Sequence, residues 1–179
     1  PDDVEALFPK TIAIGKAFGV IAVIDGKQTI EVATFRKDAG ILDGRHPETV
    51  EFCADKEDAL RRDFTVNGMF YDPVTEKLYD YVNGTQDLEQ RRIVAIGNPA
   101  ERFREDHLRM LRAIRFASRL GFSIELKTWS AIRGLSARIN DISNERIFME
   151  MDKILVGPGP TWGIELMSGS GLLEHILPE

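Results

Sequence analysis

The 179-residue chain reads as an α+β protein, a small strand-bearing head followed by an all-α module. Three observations predict this. A continuous apolar run, Val20-Ile21-Ala22-Val23-Ile24, ends at Asp25-Gly26 and is answered by a β-branched stretch over 29–35, the pattern of a hairpin. Gly97-Asn98-Pro99 then changes the character of the chain. Beyond it, apolar residues recur at helical spacing. The expected division is a head with a small mixed or antiparallel sheet over residues 1–97 and a helical neck over 98–179.

The elements follow in order. Pro1-Asp2-Asp3 precedes the apolar Val4, Ala6, Leu7 and Phe8, which predicts a helix start with acids in its first turn. A chain that opens inside an element suggests that something precedes it. In the return strand, Glu31 shares a face with Thr29 and Ala33, and Ile30 and Val32 take the other. Residues 36–47 are rich in Asp and Gly and predict a mobile polar loop. A helix is expected over 56–70, stopping before Asp72-Pro73. Strands are expected over 77–82 and 92–96, with Asn83-Gly84 and a short helical stretch near Asp87 between them. Four helices follow, over 99–120, 128–138, 144–156 and 162–173, the first closed by Gly121.

Hydrophobic residues make up 43% of the chain, charged residues 29%, and the formal net charge is −6. A wholesale electrostatic grip on nucleic acid is therefore disfavoured, although a local basic face is allowed. A single cysteine, Cys53, excludes an internal disulfide and a cysteine zinc cluster and fits a reducing, cytoplasmic setting. No run approaches the roughly eighteen apolar residues of a membrane span, so no membrane partner is expected. No signal peptide is visible.

Two constellations carry chemistry. Along 99–120, Met110, Leu111, Ile114 and Ala117 share one side, and Arg109, Arg112, Arg115 and Arg119 project from the other, with Glu105 and Asp106 one turn before them. The plain alternative is a solvated face with Glu105 and Arg109 as an i,i+4 pair. The arginines beyond Asp106 have no interleaved acids on their own face, which suits phosphate. In Arg61-Arg62-Asp63-Phe64-Thr65-Val66-Asn67, Asp63 and Asn67 stand one turn apart, an acceptor beside a mixed donor-acceptor. Such a pair suits a ribose, and the adjacent Arg62 suits a triphosphate; the alternative is a helix cap. His107 reads as a helix-surface residue, while His46 and His175 suggest no catalysis. Trp129 and Trp162 read as packing anchors.

Together these strings resemble the class II tRNA nucleotidyltransferase and poly(A) polymerase family. The resemblance rests on R-R-D-F-T-V-N, then D-Y-V-N-G-T-Q-D-L, then R-F-R-E-D-H-L-R-M-L-R-A-I-R-F-A, in that order. T-I-E-V-A-T-F-R from Thr29, D-G-R-H-P from Asp43 and S-N-E-R-I from Ser143 add to it, so it covers nearly the whole chain. It implies an enzyme that adds CCA, A or a poly(A) tail to RNA 3′ ends without a nucleic-acid template. The implied reaction is in-line attack of the 3′-hydroxyl on the α-phosphate of ATP or CTP, helped by Mg²⁺. By position, Arg62, Asp63 and Asn67 match the ribose and triphosphate motif. Asp80, Gly84 and Asp87 match a hinge motif. Asp106 and Arg109 match the pair that reads the incoming base, with Arg112 and Arg115 further along.

The base-reading role has its own rationale. Cytosine and adenine both present an amine donor beside a ring-nitrogen acceptor, which Asp106 and Arg109 complement; guanine and uracil mismatch both. The family's Gly-rich turn and D-x-D strand are not found in this sequence. Glu31 aligns with an acid near the active site and is the candidate catalytic and metal residue; its alternative is a strand-surface glutamate. The resemblance therefore implies an N-terminally incomplete nucleotidyltransferase head, inactive as it stands, with a neck cut short of the tRNA grip. The rivals are a strict poly(A) polymerase, a non-catalytic nucleotide- or RNA-binding module, and a helical interaction domain. Oligomeric state and the nucleotides added are not legible.

Overall fold

A computed structural model describes residues 1–41 and 47–178. They divide into two compact units, residues 1–41 with 47–58, and residues 59–178. This division lies well before the Gly97 boundary expected from composition, because 59–97 pack with the helical part.

In the first unit, α1 (Asp2–Leu7) precedes β1 (Thr11–Gly15), β2 (Val20–Asp25) and β3 (Gln28–Ala33), an antiparallel sheet in the order β1-β2-β3. Ile21, Ala22 and Val23 of the central strand are buried, as a continuous apolar run requires. The expected hairpin forms, with Asp25 opposite Gln28 and Ala22 opposite Glu31. Pro1 caps α1 rather than starting it. The predicted loop over 36–47 is instead largely strand: β4 (Arg36–Ile41) pairs antiparallel with β5 (Pro47–Phe52). Its Asp and Gly content lowers β propensity, but cross-strand backbone pairing overrides that. His46 and most of D-G-R-H-P lie outside the described residues.

The expected helix over 56–70 breaks into three pieces. α2 (Asp55–Arg61) ends early, a 3₁₀ turn covers Thr65–Asn67, and Met69–Asp72 is β6, paired antiparallel with β7 (Lys77–Asp80). The break follows from an antiparallel bridge between Phe64 and Ala95, which draws Phe64, with no exposed surface, into the core. α3 (Gly84–Glu89) follows, then β8 (Arg92–Ile93), which pairs in parallel with β9 (Ser123–Ile124). The strands expected over 77–82 and 92–96 are thus real but shorter.

The helical part holds α4 (Pro99–Glu105), α5 (Leu108–Leu120), α6 (Leu126–Leu135), α7 (Asn144–Leu155), α8 (Pro160–Ser170) and α9 (Leu172–Ile176). Asn98 caps α4 by accepting the Ala100 amide at 3.0 Å, with Pro99 at the first helical position. The single helix expected over 99–120 is split. Asp106 is extended (φ −153°, ψ 105°), and its Oδ1 accepts the Leu108 amide at 3.1 Å, so a carboxylate expected inside a helix starts one instead. Gly121 closes α5 in the left-handed region, as expected. A 3₁₀ turn at Ser136–Asp141 continues the segment expected over 128–138, and Gly171 divides α8 from α9. Met110, Leu111, Ile114 and Ala117 of α5 have no exposed surface and pack in a core with Phe64, Phe103 and Ile154. Trp129 packs against this core; Trp162 is 40% exposed, held by its indole N–H donating to the Phe122 carbonyl at 3.2 Å.

Two features set stability in the second unit. A Cβ on Gly84 would meet the Thr65 carbonyl oxygen at 2.3 Å and the Met69 sulfur at 2.8 Å. Gly84→Ala is therefore expected to lower the unfolding free energy by about 1–3 kcal/mol in urea titration, the usual cost of overpacking. Between α5 and α7, the buried Glu150 accepts from Arg115 Nε at 2.6 Å and Lys153 Nζ at 3.0 Å. Burial alone would raise the Glu150 carboxyl, but the Lys153 hydrogen bond and the Arg115 charge carry it below its ordinary 4.5. A carboxyl depressed on folding contributes stability above its unfolded pKa and loses it as pH falls through the folded value. The wild-type unfolding midpoint should thus fall as pH drops below 4.5, and Glu150→Gln should flatten that fall while lowering stability at pH 7. Urea unfolding across pH measures both.

Candidate nucleotide site

Asp63 is the centre of the site. It sits at the end of the loop after α2, where its own carbonyl accepts the Ile96 amide and the Thr65 amide donates to Val94, both parts of the Phe64 bridge. Its Oδ1 accepts the Phe64 amide at 2.9 Å and Asn67 Nδ2 at 3.1 Å. Its Oδ2 accepts Arg112 Nε at 2.8 Å and Nη2 at 2.5 Å. The expected Asp63–Asn67 neighbourhood is real, formed across a 3₁₀ turn rather than along an α-helix. The carboxylate holds four donors, filling its ordinary capacity. A ligand hydroxyl donating to Asp63 must displace one of them.

Arg62 lies beside it, its Nη1 donating to the Asn67 carbonyl at 3.0 Å and its guanidinium 4.7 Å from the Phe70 ring centre. Arg102, which sequence reasoning passed over, ties the same loop to α4. Its Nη1 donates to Glu105 Oε2 at 2.7 Å, and its Nη2 donates to the Arg61 carbonyl and, at 2.7 Å, to the Arg62 carbonyl. Burial first, then the charge of Arg109, pull the Arg102 guanidinium below its ordinary value, with Glu105 opposing them.

The arginines of α5 are not a bare face. Arg109 donates through Nη1 to Glu105 at 2.5 Å, the expected i,i+4 pair, and to the Arg102 carbonyl at 3.0 Å. Arg112 pairs with Asp63, and Arg115 with Glu150 of α7. The side chains of Arg109 and Arg115 are only 16% and 11% exposed. The acids that meet Arg112 and Arg115 come from elsewhere in the fold, so reading along one helix shows neither. Phe116 lies between Arg112 and Arg115, at 5.5 and 4.2 Å from their guanidinium carbons, and stacks edge-on against Phe64. Arg119 is exposed.

Asp106 Oδ2 accepts Arg146 Nη2 at 2.8 Å. Each Asp106 oxygen thus holds one of these two donors, and each has a second lone pair to offer. The bonds described for Arg109 use Nη1 alone. The string S-N-E-R-I carried Arg146, but its role depends on α7 approaching a residue forty positions earlier. His107 is not on the helix surface as expected: it is 9% exposed at the start of α5, with Nδ1 3.6 Å from Asp141 and a buried Nε2 without a partner. Burial, with the charge of Arg138, lowers its pKa.

The hinge residues are tightly held. Asp80 Oδ1 accepts the Val82 and Gly84 amides at 3.2 and 2.9 Å, and Oδ2 accepts the Thr85 amide at 2.9 Å. Burial would raise its carboxyl, but these amides, Thr85 foremost, take it below the usual range. Asn83 takes φ 61°, a left-handed conformation that Asn tolerates better than most residues. Asp87 accepts from the Thr65 hydroxyl at 2.8 Å and from Arg92 Nη2 at 2.6 Å. In the other unit, Glu31 is exposed on β3. Among the described residues no three His, Cys, Asp or Glu side chains converge as a metal would need, so Glu31 does not form a metal centre with them.

Residues 1–94 match the poly A polymerase head domain, and residues 121–179 match a probable RNA- and SrmB-binding site of polymerase A. A CCA-adding enzyme of Lactococcus lactis subsp. cremoris (strain MG1363) is 43% identical over 98% of this chain and 44% of its own length. The crystal structure of the Bacillus stearothermophilus CCA-adding enzyme in complex with CTP superposes with a TM-score of 0.83 at 39% identity, over 96% of this chain and 41% of that one. The Thermotoga maritima CCA-adding enzyme complexed with tRNA gives 0.77 at 26% identity, over 99% and 40%. The chain therefore spans about 44% of the length of the curated relatives it matches. With its head-domain match running over residues 1–94 of 179, the chain belongs to the poly A polymerase head-domain family.

Proposed function

We propose that this chain supplies the nucleotide-selecting part of a template-independent RNA 3′-terminal nucleotidyltransferase that adds CCA, or A, to tRNA 3′ ends from CTP and ATP. The observation that carries this is the cluster around Asp63. A carboxylate, an amide and Arg112 meet there, and the Arg102–Glu105 bonds tie the same loop to the segment bearing Asp106 and Arg109. Similarity to enzymes solved with CTP and with tRNA supports the substrate class. The work setting is cytoplasmic. Residues 1–97 act as the head and 98–179 as the neck, the nucleotide lying against the first turns of the neck.

In this reading Arg62, Arg112 and Arg115 supply positive charge toward the triphosphate, with Arg62 and Arg112 already oriented by the Asn67 carbonyl and by Asp63. Asn67 and Asp63 take the ribose hydroxyls. The second lone pairs of Asp106 accept from the exocyclic amine of cytosine or adenine, and Arg109 donates to the ring nitrogen. Holding both at i and i+3 on a rigid helix start presents a pairing edge without a template base. Bound this way, the nucleotide has its α-phosphate oriented for in-line attack by an RNA 3′-hydroxyl, and orientation is a large part of catalysis. Asp80, Gly84 and Asp87 hold the turn next to the ribose residues and act as the hinge. Mg²⁺ belongs to the reaction of the family; Glu31, the carboxylate aligned with that role, has no converging His, Cys, Asp or Glu partners among the described residues, and no step is assigned to it.

Two measurements test this. Asp106→Ala should bind CTP, ATP and UTP alike, whereas the wild-type chain prefers CTP and ATP over UTP in equilibrium dialysis; retained preference in the variant would sink the base-reading role. In primer extension with ATP and Mg²⁺ the 179-residue chain should add no nucleotide, because its sequence has no D-x-D pair to hold two metal ions.

A further inference from the structure

We propose that Thr65 is a positioning residue for sugar selection: held by Asp87, its hydroxyl fixes the turn that presents Asn67 and Asp63 to the ribose. The inference rests on reading Asp63 and Asn67 as the ribose-facing pair. Nothing in the motif spacing gives Thr65 a task, since Asp63 and Asn67, two positions to either side, carry the polar chemistry.

The geometry is specific. Thr65 begins the 3₁₀ turn Thr65–Asn67 and is only 4% exposed. Its hydroxyl donates to Asp87 Oδ2 at 2.8 Å, and Asp87 Oδ1 accepts Arg92 Nη2 at 2.6 Å. Asp87 thereby joins the turn to β8, the strand next to the Val94–Ile96 backbone that pins Asp63 and Thr65. Gly84 of the same helix lies so close to the Thr65 carbonyl that a methyl would not fit between them. The turn is thus gripped on its carbonyl side by Gly84 and on its side-chain side by Asp87. Two residues later, the Asn67 amide donates to the carboxylate that holds Arg112. Loss of the Thr65 hydroxyl frees one grip and leaves a buried Asp87 oxygen without that donor. The turn then loses the register that sets Asn67 against Asp63, so Thr65 acts on the bound ribose through these two residues and not by touching it.

The test compares CTP with 2′-deoxy-CTP binding to the 179-residue chain by equilibrium dialysis. The wild type should favour CTP by about tenfold, the worth of one hydrogen bond. Thr65→Val, which keeps the shape and removes the hydroxyl, should cut that preference to within about twofold by weakening CTP and not deoxy-CTP. Thr65→Ser should restore it. If Thr65→Val does not fold by circular dichroism, Thr65→Ala reads the same loss. Ile154→Val, a core change on α7, shows what destabilisation alone does, and it should leave the ratio at the wild-type value. The proposal is overturned if the valine variant keeps the wild-type ratio, if serine fails to restore it, or if Ile154→Val flattens it equally. A wild type that binds both nucleotides alike, or Asn67→Ala with unchanged CTP affinity, overturns the ribose reading itself.

Discussion

Asp63 accepts hydrogen bonds from three separate parts of the chain: its own turn through Phe64, the 3₁₀ turn through Asn67, and α5 through Arg112. The side chain is only 8% exposed, so these donors replace the water its oxygens lose on burial. The dependence runs both ways. Removing Arg112 would leave the buried carboxylate short of two donors, at a cost of about 1–3 kcal/mol. The loop after α2 cannot drift from α5 without paying that penalty. Arg62, through the Asn67 carbonyl, and Arg102, through the Arg61 and Arg62 carbonyls, are bonded to the same loop.

The same logic organises α5. An amphipathic helix ordinarily sends its charged stripe to solvent. Here Arg109 and Arg115 are mostly buried and each meets an acid, Glu105 and Glu150. Burying guanidinium groups is costly, and ion pairing largely offsets that cost without adding much stability. What the pairing does secure is orientation, since planar guanidinium groups held at two points have little rotational freedom left. An arginine that must meet an incoming anion at a defined place gains from being fixed beforehand. Arg112 shows the compromise: bound to Asp63 through Nε and Nη2, it retains 34% exposure.

The legibility of the molecule in its sequence follows the range of the interactions involved. Local signals carried far: Gly121 as a left-handed cap, the Asp25-Gly26 hairpin, the core stripe of Met110, Leu111 and Ile114. Asp63 and Asn67 were brought together by spacing even though the helix that motivated their pairing does not exist, because a 3₁₀ turn spans a similar distance. The breaks at Phe64 and Asp106 were invisible, one arising from a bridge to Ala95 thirty-one positions on and the other from a side chain that caps the following helix. The acids of the arginine helix were invisible for a related reason. Asp63 lies 49 positions from Arg112, and Glu150 lies 35 from Arg115. No pattern within one helix can announce partners that only folding delivers. Arg36–Ile41 departs in the opposite sense, since a turn-forming residue such as Asp38 takes part in a strand pair, opposite Val50.

The segment from Asp80 to Arg92 poses the last constraint. The 3₁₀ turn Thr65–Asn67 and α3 are attached to one another by Asp87 and by the close approach of Gly84 to the Thr65 carbonyl. Swinging α3 at Asn83 would break the Gly84 and Thr85 amide bonds to Asp80, and parting α3 from the turn would separate Thr65 from Asp87 in a poorly hydrated place, each an expensive event. Asn83 and Arg91, left-handed at φ 61° and 53°, offer no free pivot, because the Gly84 and Thr85 bonds to Asp80 span the first and the Asp87–Arg92 pair spans the second. A displacement that keeps these bonds therefore carries Asp80, α3, Arg92 and the Thr65–Asn67 turn as one piece.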